Sequence, residues 1–282
     1  MTTAMSQDSL PPIELLISDV DGTLVHADKI VGAATVAAVQ QLRAAGVPFT
    51  IVSSRPPQGM LYPKHMLGID QPYAAFNGGT IVNPDGSLAQ ASRLTLAAAT
   101  IALDMLLGNQ LETWVYADNE WFVLDADGEY VPRERRTIAS EPVLVKSFEP
   151  YLDRIDKIVA ASSDHPRLAQ IEKDLAAAVE GQARAVRSQA YYIDVTDLKA
   201  TKGYAVAALA QRIGVPLERV AVIGDADNDL PMFERAGLAI AMGQATDAVK
   251  ARAAFVTDSN VDDGVASAIQ RYILPRVHGS KP

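Results

Sequence analysis

At 282 residues, with 49% hydrophobic and 21% charged side chains, the chain has the make-up of a folded protein of one large domain or two ordinary ones. A net charge of -9 argues against general affinity for nucleic acid or anionic membranes, yet leaves room for a small anion where a bound cation reverses the local field. With no cysteine, disulfides, thiolate catalysis and cysteine-ligated zinc are excluded, and no run of ~18 apolar residues suggests a membrane span, so a cytoplasmic location is expected.

Residues 1–12 read as a polar, disordered leader without an apolar signal core. A short aliphatic run then ends in Asp19-Val20-Asp21-Gly22-Thr23-Leu24, the pattern of a buried strand closed by a turn. Residues 31–45 carry Ala, Val and Leu at helical spacing and stop at Gly46. Two more strand candidates, 47–52 and 73–76, end in Ser53-Ser54-Arg55 and Asn77-Gly78-Gly79. Strand, polar tip, helix and strand again is the pattern of a parallel sheet. From about Thr80 the texture changes to hairpins around 83–86 and 117–120, strands at 157–162 and 191–195, and helices at 95–107 and 166–179. This mixture indicates a separate α+β unit inserted into the parallel one. The alternation resumes after Asp197: helix 202–213, strand 219–223, helix 229–236, strand 238–242, helix 246–253, a short strand at 255–256 and a closing helix at 261–273. The tail, 275–282, reads as loose. The expected fold is α/β: a Rossmann-like parallel sheet core (13–80 and 197–274) with an inserted α+β cap domain (81–196).

Open α/β sheets bind ligands at the carboxyl ends of their strands, which is where the polar tips fall. Strand alternation turns Asp19 and Asp21 to one side, where their repulsion calls for a cation such as Mg²⁺ or a shared proton. The alternative is an ordinary Asx-type turn. A carboxylate can attack phosphorus, and a second one two residues on can protonate the leaving oxygen and later deprotonate water. Ser53 at a strand–helix junction suits a phosphate oxygen or, more simply, a helix cap. Lys202 at a helix start reads as a surface charge, unless an anion sits there. Gly224-Asp225-Ala226-Asp227-Asn228-Asp229 closes another buried strand, and Asp225 and Asp229 are spaced to share a helical face. Two acidic tips on one sheet call for a shared cation.

Together, Asp19-Val20-Asp21-Gly22-Thr23-Leu24, Ser53, Lys202 and Gly224 to Asp229 resemble the four motifs of the haloacid dehalogenase superfamily of phosphohydrolases. Their order and spacing are similar to its Cof-type (subclass IIB) branch, where the cap is inserted between the second and third motifs. The resemblance implies Mg²⁺-dependent hydrolysis of a small phosphomonoester, such as a sugar phosphate, through an aspartyl-phosphate. It implies Asp19 as nucleophile and metal ligand, and Asp21 as general acid/base that lends its backbone carbonyl to the metal. Ser53 and Lys202 hold the phosphoryl group with the Ser54 amide as helper, Asp225 ligates the metal directly, and Asp229 acts from behind or through water. Asn77 and Asn228 match positions that face phosphate or substrate. The second motif departs from the branch's Thr-Gly-Arg, with Ser54 in place of glycine, and Asp227 adds a carboxylate.

A hexose-phosphate mutase and a catalytically idle sensor of phosphorylated ligands are the competing readings. A small phosphorylated metabolite is the expected partner, with no nucleic acid or membrane and a monomeric or homodimeric state. In the cap, Arg133, Arg135 and Arg136 read as a solvated basic turn or as contacts to an anion. Trp114 and Trp121 read as packing rather than a sugar platform. His26, His65 and His165 form no metal-spaced set. Hinges are expected near 79–81 and 196–199.

Overall fold

The computed structural model describes residues 12–277. Residues 1–11 of the expected leader and 278–282 of the expected loose tail lie outside the described residues. β1 (Leu15–Asp19) is buried along its whole length, as an aliphatic strand covered on both faces must be. It leads to α1 (Ala33–Ala44), β2 (Phe49–Val52), α2 (Leu61–Met66), β3 (Tyr73–Ala75), β4 (Thr80–Val82) and β5 (Leu88–Ala91). The inserted unit follows with α3 (Leu96–Gly108), β6 (Glu112–Ala117), β7 (Glu120–Val123), α4 (Val131–Ile138), β8 (Val143–Leu144), β9 (Ile155–Ala161), α5 (His165–Ala178), β10 (Arg184–Gln189) and β11 (Tyr192–Thr196). The chain then returns as α6 (Lys202–Ile213), β12 (Val220–Gly224), α7 (Leu230–Phe233), β13 (Leu238–Ala241), α8 (Asp247–Lys250), β14 (Phe255–Val256) and α9 (Gly264–Ala268).

These strands make two sheets. The first runs β14-β13-β12-β1-β2-β3-β4-β5 and is parallel from β14 through β3. α1 and α9 cover one face, with Val39, Leu42 and Val265 in one buried cluster with Leu16, Phe49 and Ile51. α6 covers the other, with Val206 and Leu209 on Leu15, Ile17 and Val222. The second sheet runs β10-β11-β9-β6-β7-β8. Its outer face packs on α3 and α5 through Val115, Ile158 and Ile193. Its inner face carries Trp114, Tyr116, Val159 and Tyr192, meets α4 through Val131 and Ile138, and reaches Phe76 at the tip of β3. Among the described residues no helix is long and apolar enough to cross a membrane.

The expected α/β core with an α+β insertion is present, but its first boundary moves. β4 pairs antiparallel with β3 and β5 with β4, so the hairpin extends the first sheet instead of opening the insertion at 81. The chain crosses over at 92–94, where Ser92 N still donates to Gly79 O and Leu94 N already donates to Ile155 O. Gly79 is therefore held within the first sheet and is no hinge, whereas the return at 197–201 lies beside the expected second hinge. Arg133, Arg135 and Arg136 lie on α4, whose inward stripe is Val131, Glu134 and Ile138, and not on a turn. The helix expected at 229–236 is a 3-10 turn (Asp227–Asp229) followed by the short α7, with Pro231 in its first turn.

Candidate active site

Strand register brings three of the polar tips together. β1 lies between β12 and β2, with Ser18 beside Ile223 and Asp19 beside Val52. The residues that follow those strands, Asp225 and Ser53, thus flank Asp19 at the carboxyl edge of the sheet. α6 packs on β2, β3 and β4 and delivers its first residue, Lys202, to the same place. Its N-cap is Thr201, whose hydroxyl accepts from Tyr204 N at 3.2 Å.

Lys202 is 1% exposed, and its ammonium donates to Asp19 Oδ1 and to Asp229 Oδ1, each at 2.5 Å. The second Asp229 oxygen accepts from the backbone N–H groups of Asp225 and Ala226 at 2.8 and 2.9 Å, which folds the acidic loop back on itself. Asp225 Oδ1 accepts from the Thr23 hydroxyl at 3.0 Å. Gly22 allows this approach: its φ is +83°, and a Cβ there would stand 2.8 Å from the Asp225 carboxyl carbon. Asp19, Asp225 and Asp229 each present an oxygen within 4.8 Å of the others. Three carboxylates face one ammonium, so the cluster keeps an excess negative charge that suits a hard cation with oxygen ligands. Burial pushes the Asp19 carboxyl above its ordinary range, against Lys202 and with Asp229 and Asp225 adding repulsion. Burial and the Asp229 charge raise Asp225 as well.

Asp21 is engaged elsewhere. β1 ends at Asp19, so strict strand alternation does not extend to Asp21, which forms only an isolated bridge with Val25. Its carboxylate is gripped by Arg55, with Nε to Oδ2 at 2.6 Å and Nη2 to Oδ1 at 2.7 Å, and by Lys29 Nζ at 2.6 Å. Asp19 and Asp21 therefore do not share one cation through their side chains; each has its own. Burial opposes ionisation of Asp21, but the Arg55 and Lys29 contacts outweigh it and hold its pKa at about 2. Arg55 is anchored in turn by Nη1 on Gly59 O at 3.0 Å. Arg55 and Lys29 are the partners that sequence reasoning missed. The arginine of the second motif was visible, but its pairing across 34 positions was not.

The Ser53 hydroxyl is buried and accepts from Arg55 N at 3.2 Å, the cap-like role foreseen for it, which leaves its own proton free to donate. Phe76 and Asn77 follow β3 with φ of 50° and 56°, left-handed values held by Phe76 N on Arg55 O and Asn77 N on Ser53 O. Asn228 Nδ2 donates to Asn77 Oδ1 at 3.4 Å. Asn77, Asn228 and Lys202 border a cavity of 100 Å³, and Asp21, Arg55 and Arg133 border another of 170 Å³; Ser54 touches both. Asp21, Ser54, Asn77, Lys202 and Asn228 thus border these cavities, whereas Asp19, Ser53, Asp225 and Asp229 border neither. Of Arg133, Arg135 and Arg136 only Arg133 borders these cavities, its guanidinium 4.1 Å above the Tyr191 ring, while Arg135 pairs with Glu141 at 2.7 Å; Arg184 of β10, which the sequence did not single out, borders the smaller one. Trp114 and Trp121 are buried edge to face at 6.0 Å, as packing. His26, His65 and His165 border neither cavity.

Comparison with known proteins identifies the family. Residues 16–269 match the family model of the haloacid dehalogenase-like hydrolases. The 5-amino-6-(5-phospho-D-ribitylamino)uracil phosphatase YwtE of Bacillus subtilis is 28% identical over 281 residues, covering 90% of this chain and 96% of its own. The pyridoxal phosphate phosphatase YbhA of Escherichia coli is 24% identical over 268 residues, covering 91% and 97%. The crystal structure of a haloacid dehalogenase-like hydrolase from Bacteroides thetaiotaomicron superposes with a TM-score of 0.85 at 25% identity, covering 92% of this chain and 99% of that one.

Proposed function

As the chain belongs to the haloacid dehalogenase-like hydrolase family, we propose that it is a Mg²⁺-dependent phosphatase of small phosphomonoesters that works through a phosphorylated Asp19. The observation that carries this reading is the buried contact of Asp19 with Lys202 beside Asp225 and Asp229, with Asp21 two residues on. Asp19 attacks phosphorus, forming an aspartyl-phosphate as the bond to the leaving alcohol breaks. Asp21 gives that oxygen its proton, then takes one from the water that hydrolyses the aspartyl-phosphate. In the state described here Asp21 is ionised and set for the second half of that cycle. Its acid half requires the grip of Arg55 and Lys29 to loosen as substrate enters.

Lys202 and the Ser53 hydroxyl hold the phosphoryl oxygens, with the Ser54 amide, Asn77 and Asn228 around them. Asp19, Asp225 and the Asp21 backbone carbonyl would hold the metal, with Asp229 supporting them through Lys202 and the loop amides. A bound Mg²⁺ supplies charge neutralisation at the phosphoryl group. The inserted unit acts as the cap that encloses the leaving group, so the choice of substrate rests on its inner face. The two named relatives act on phosphomonoesters with a polyol chain and with an aromatic ring, and both classes belong in the test.

Phosphate release from sugar phosphates, polyol phosphates, nucleoside monophosphates and pyridoxal phosphate, with Mg²⁺ and with a chelator, is the experiment. Turnover of at least one class that stops on chelation is expected. Isomerised sugar phosphate without free phosphate would replace this reading with the mutase. Ligand binding with no turnover would replace it with the sensor.

A further inference from the structure

The inner face of the second sheet carries charges that stability alone does not account for. Lys157 on β9 and Asp194 on β11 are 7% and 4% exposed, and Lys157 Nζ stands 2.6 Å from Asp194 Oδ2. In the β9–β11 ladder Lys157 pairs with Thr196 and Asp194 with Val159, which puts both side chains on the face of Val159 and Tyr192, away from α3 and α5. Burying an ion pair brings little net stability, because desolvation offsets the attraction.

Unused bonding capacity surrounds the pair. The other Asp194 oxygen, Oδ1, is buried with no hydrogen-bond partner, and so is the hydroxyl of Tyr192. Lys157 has three N–H groups and, among the described residues, one anion within ion-pair distance. Buried polar groups are ordinarily satisfied, so an unpaired donor–acceptor set on a cavity wall points to a ligand. Lys157 and Asp194 border both cavities at the seam, lying between the phosphate side at Lys202 and the leaving-group side at Asp21 and Tyr192. The larger cavity, 170 Å³, is lined by four cationic and three carboxylate side chains. Such a balanced lining suits a neutral, polar leaving group and not a second phosphate. Its size, on the order of six water volumes, suits a chain of a few carbons.

Resting on the phosphatase reading, we propose that Lys157, Asp194 and Tyr192 determine specificity, and that the leaving group they read is a short polyol with adjacent hydroxyls. One hydroxyl accepts from Lys157 Nζ, and its neighbour donates to Asp194 Oδ1 or exchanges a hydrogen bond with Tyr192. A flat aromatic leaving group offers no such pair of hydroxyls.

The test compares ribitol 5-phosphate with n-pentyl phosphate, which differ only in their hydroxyls. The proteins are the native chain, Tyr192→Phe, and the paired replacement Lys157→Met with Asp194→Leu, which removes both charges at once and leaves none unpaired. Tyr192→Phe deletes a hydroxyl that bonds nothing in the protein, so its melting temperature should not fall. The native enzyme should favour ribitol 5-phosphate by roughly 100-fold in kcat/KM. Each variant should lower that ratio tenfold or more, chiefly through KM. An unchanged ratio in both variants, or no native preference, overturns the proposal. If the native protein hydrolyses neither these two esters nor any other class of phosphomonoester named above, the phosphatase reading fails on its own. Calorimetric binding of ribitol 5-phosphate then decides: tenfold weaker binding in the variants upholds the reading of hydroxyls, and equal or absent affinity overturns it.

Discussion

Removing the ammonium of Lys202 would leave the buried carboxylates of Asp19 and Asp229 facing each other and Asp225 with no cation among them. Breaking a buried pair in this way costs about 3–5 kcal/mol, so Lys202→Met should melt well below the native chain in a chelator. Mg²⁺ should then raise the variant's melting temperature more than the native one's, since the ion takes over the missing charge. Equal Mg²⁺ shifts, followed by thermal unfolding, would show that the three carboxylates do not act as one cation site. At this scale the sequence was informative wherever chemistry is local. The acidic tips of β1 and β12 and the hydroxyl of Ser53 stand out because such residues rarely end buried strands without a task. The lysine could be weighed only against a surface charge, since neither its burial nor its two partners is encoded near it. The Arg55–Asp21 pair was hidden for the same reason: its members meet only after β1 and β2 align.

The elements divide by how they bury their residues. β1, β2, β12 and β13 are covered on both faces, read as continuous aliphatic runs, and were legible at once. β10, an edge strand of sequence Arg-Ala-Val-Arg-Ser-Gln, is mostly exposed and carries no such signal. α4 was missed because its buried stripe consists of Val131, Glu134 and Ile138, and the glutamate breaks the apolar pattern. β9 holds a further buried acid, Asp156, 3.4 Å from Arg93 at the crossover between sheets. Burial pushes its carboxyl from 3.8 up to about 6, against Arg93 and with Asp118 adding repulsion. Between those values the folded chain binds more protons than the unfolded one, so this group lowers stability as pH rises from about 4 to about 6. At ~1.4 kcal/mol for each pH unit, the loss reaches about 3 kcal/mol as an upper bound. Asp156→Asn should therefore become more stable than the native chain as pH climbs through that window. Urea unfolding of both proteins at several pH values checks this, and parallel curves would contradict it.

At the scale of the whole molecule, the two sheets close on each other beyond the active site. The Gln58 side chain, in the 3-10 turn Pro57–Met60, hydrogen-bonds Asn119 O in the β6–β7 turn, and a Cβ added at Gly59 of the same turn would lie 3.6 Å from Ile138 of α4. On the proposed function substrate enters at this seam, and the inserted unit is expected to swing about the crossovers at 92–94 and 197–201. Because the chain has no cysteine, Gln58→Cys with Asn119→Cys can be joined selectively by a short bis-maleimide. The joined protein should lose roughly tenfold or more of its turnover, while the unjoined double variant keeps it. Equal turnover would mean that the cap need not open. The two-part architecture was legible as a change of texture near Thr80, but the position of the boundary was not. The β4–β5 hairpin looks like the insertion's other hairpins, and only its pairing with β3 assigns it to the first sheet.

On the proposed mechanism Asp19 carries the phosphoryl group during turnover. Mass spectrometry of enzyme quenched in acid during steady turnover of a phosphomonoester, then digested, tests it most directly. A phosphoryl adduct is expected on the peptide containing Asp19, chased away when substrate is exhausted, and the turnover of an Asp19→Asn variant should fall by ~10⁴-fold or more. Turnover with no adduct on that peptide, together with an active Asp19→Asn variant, would contradict it.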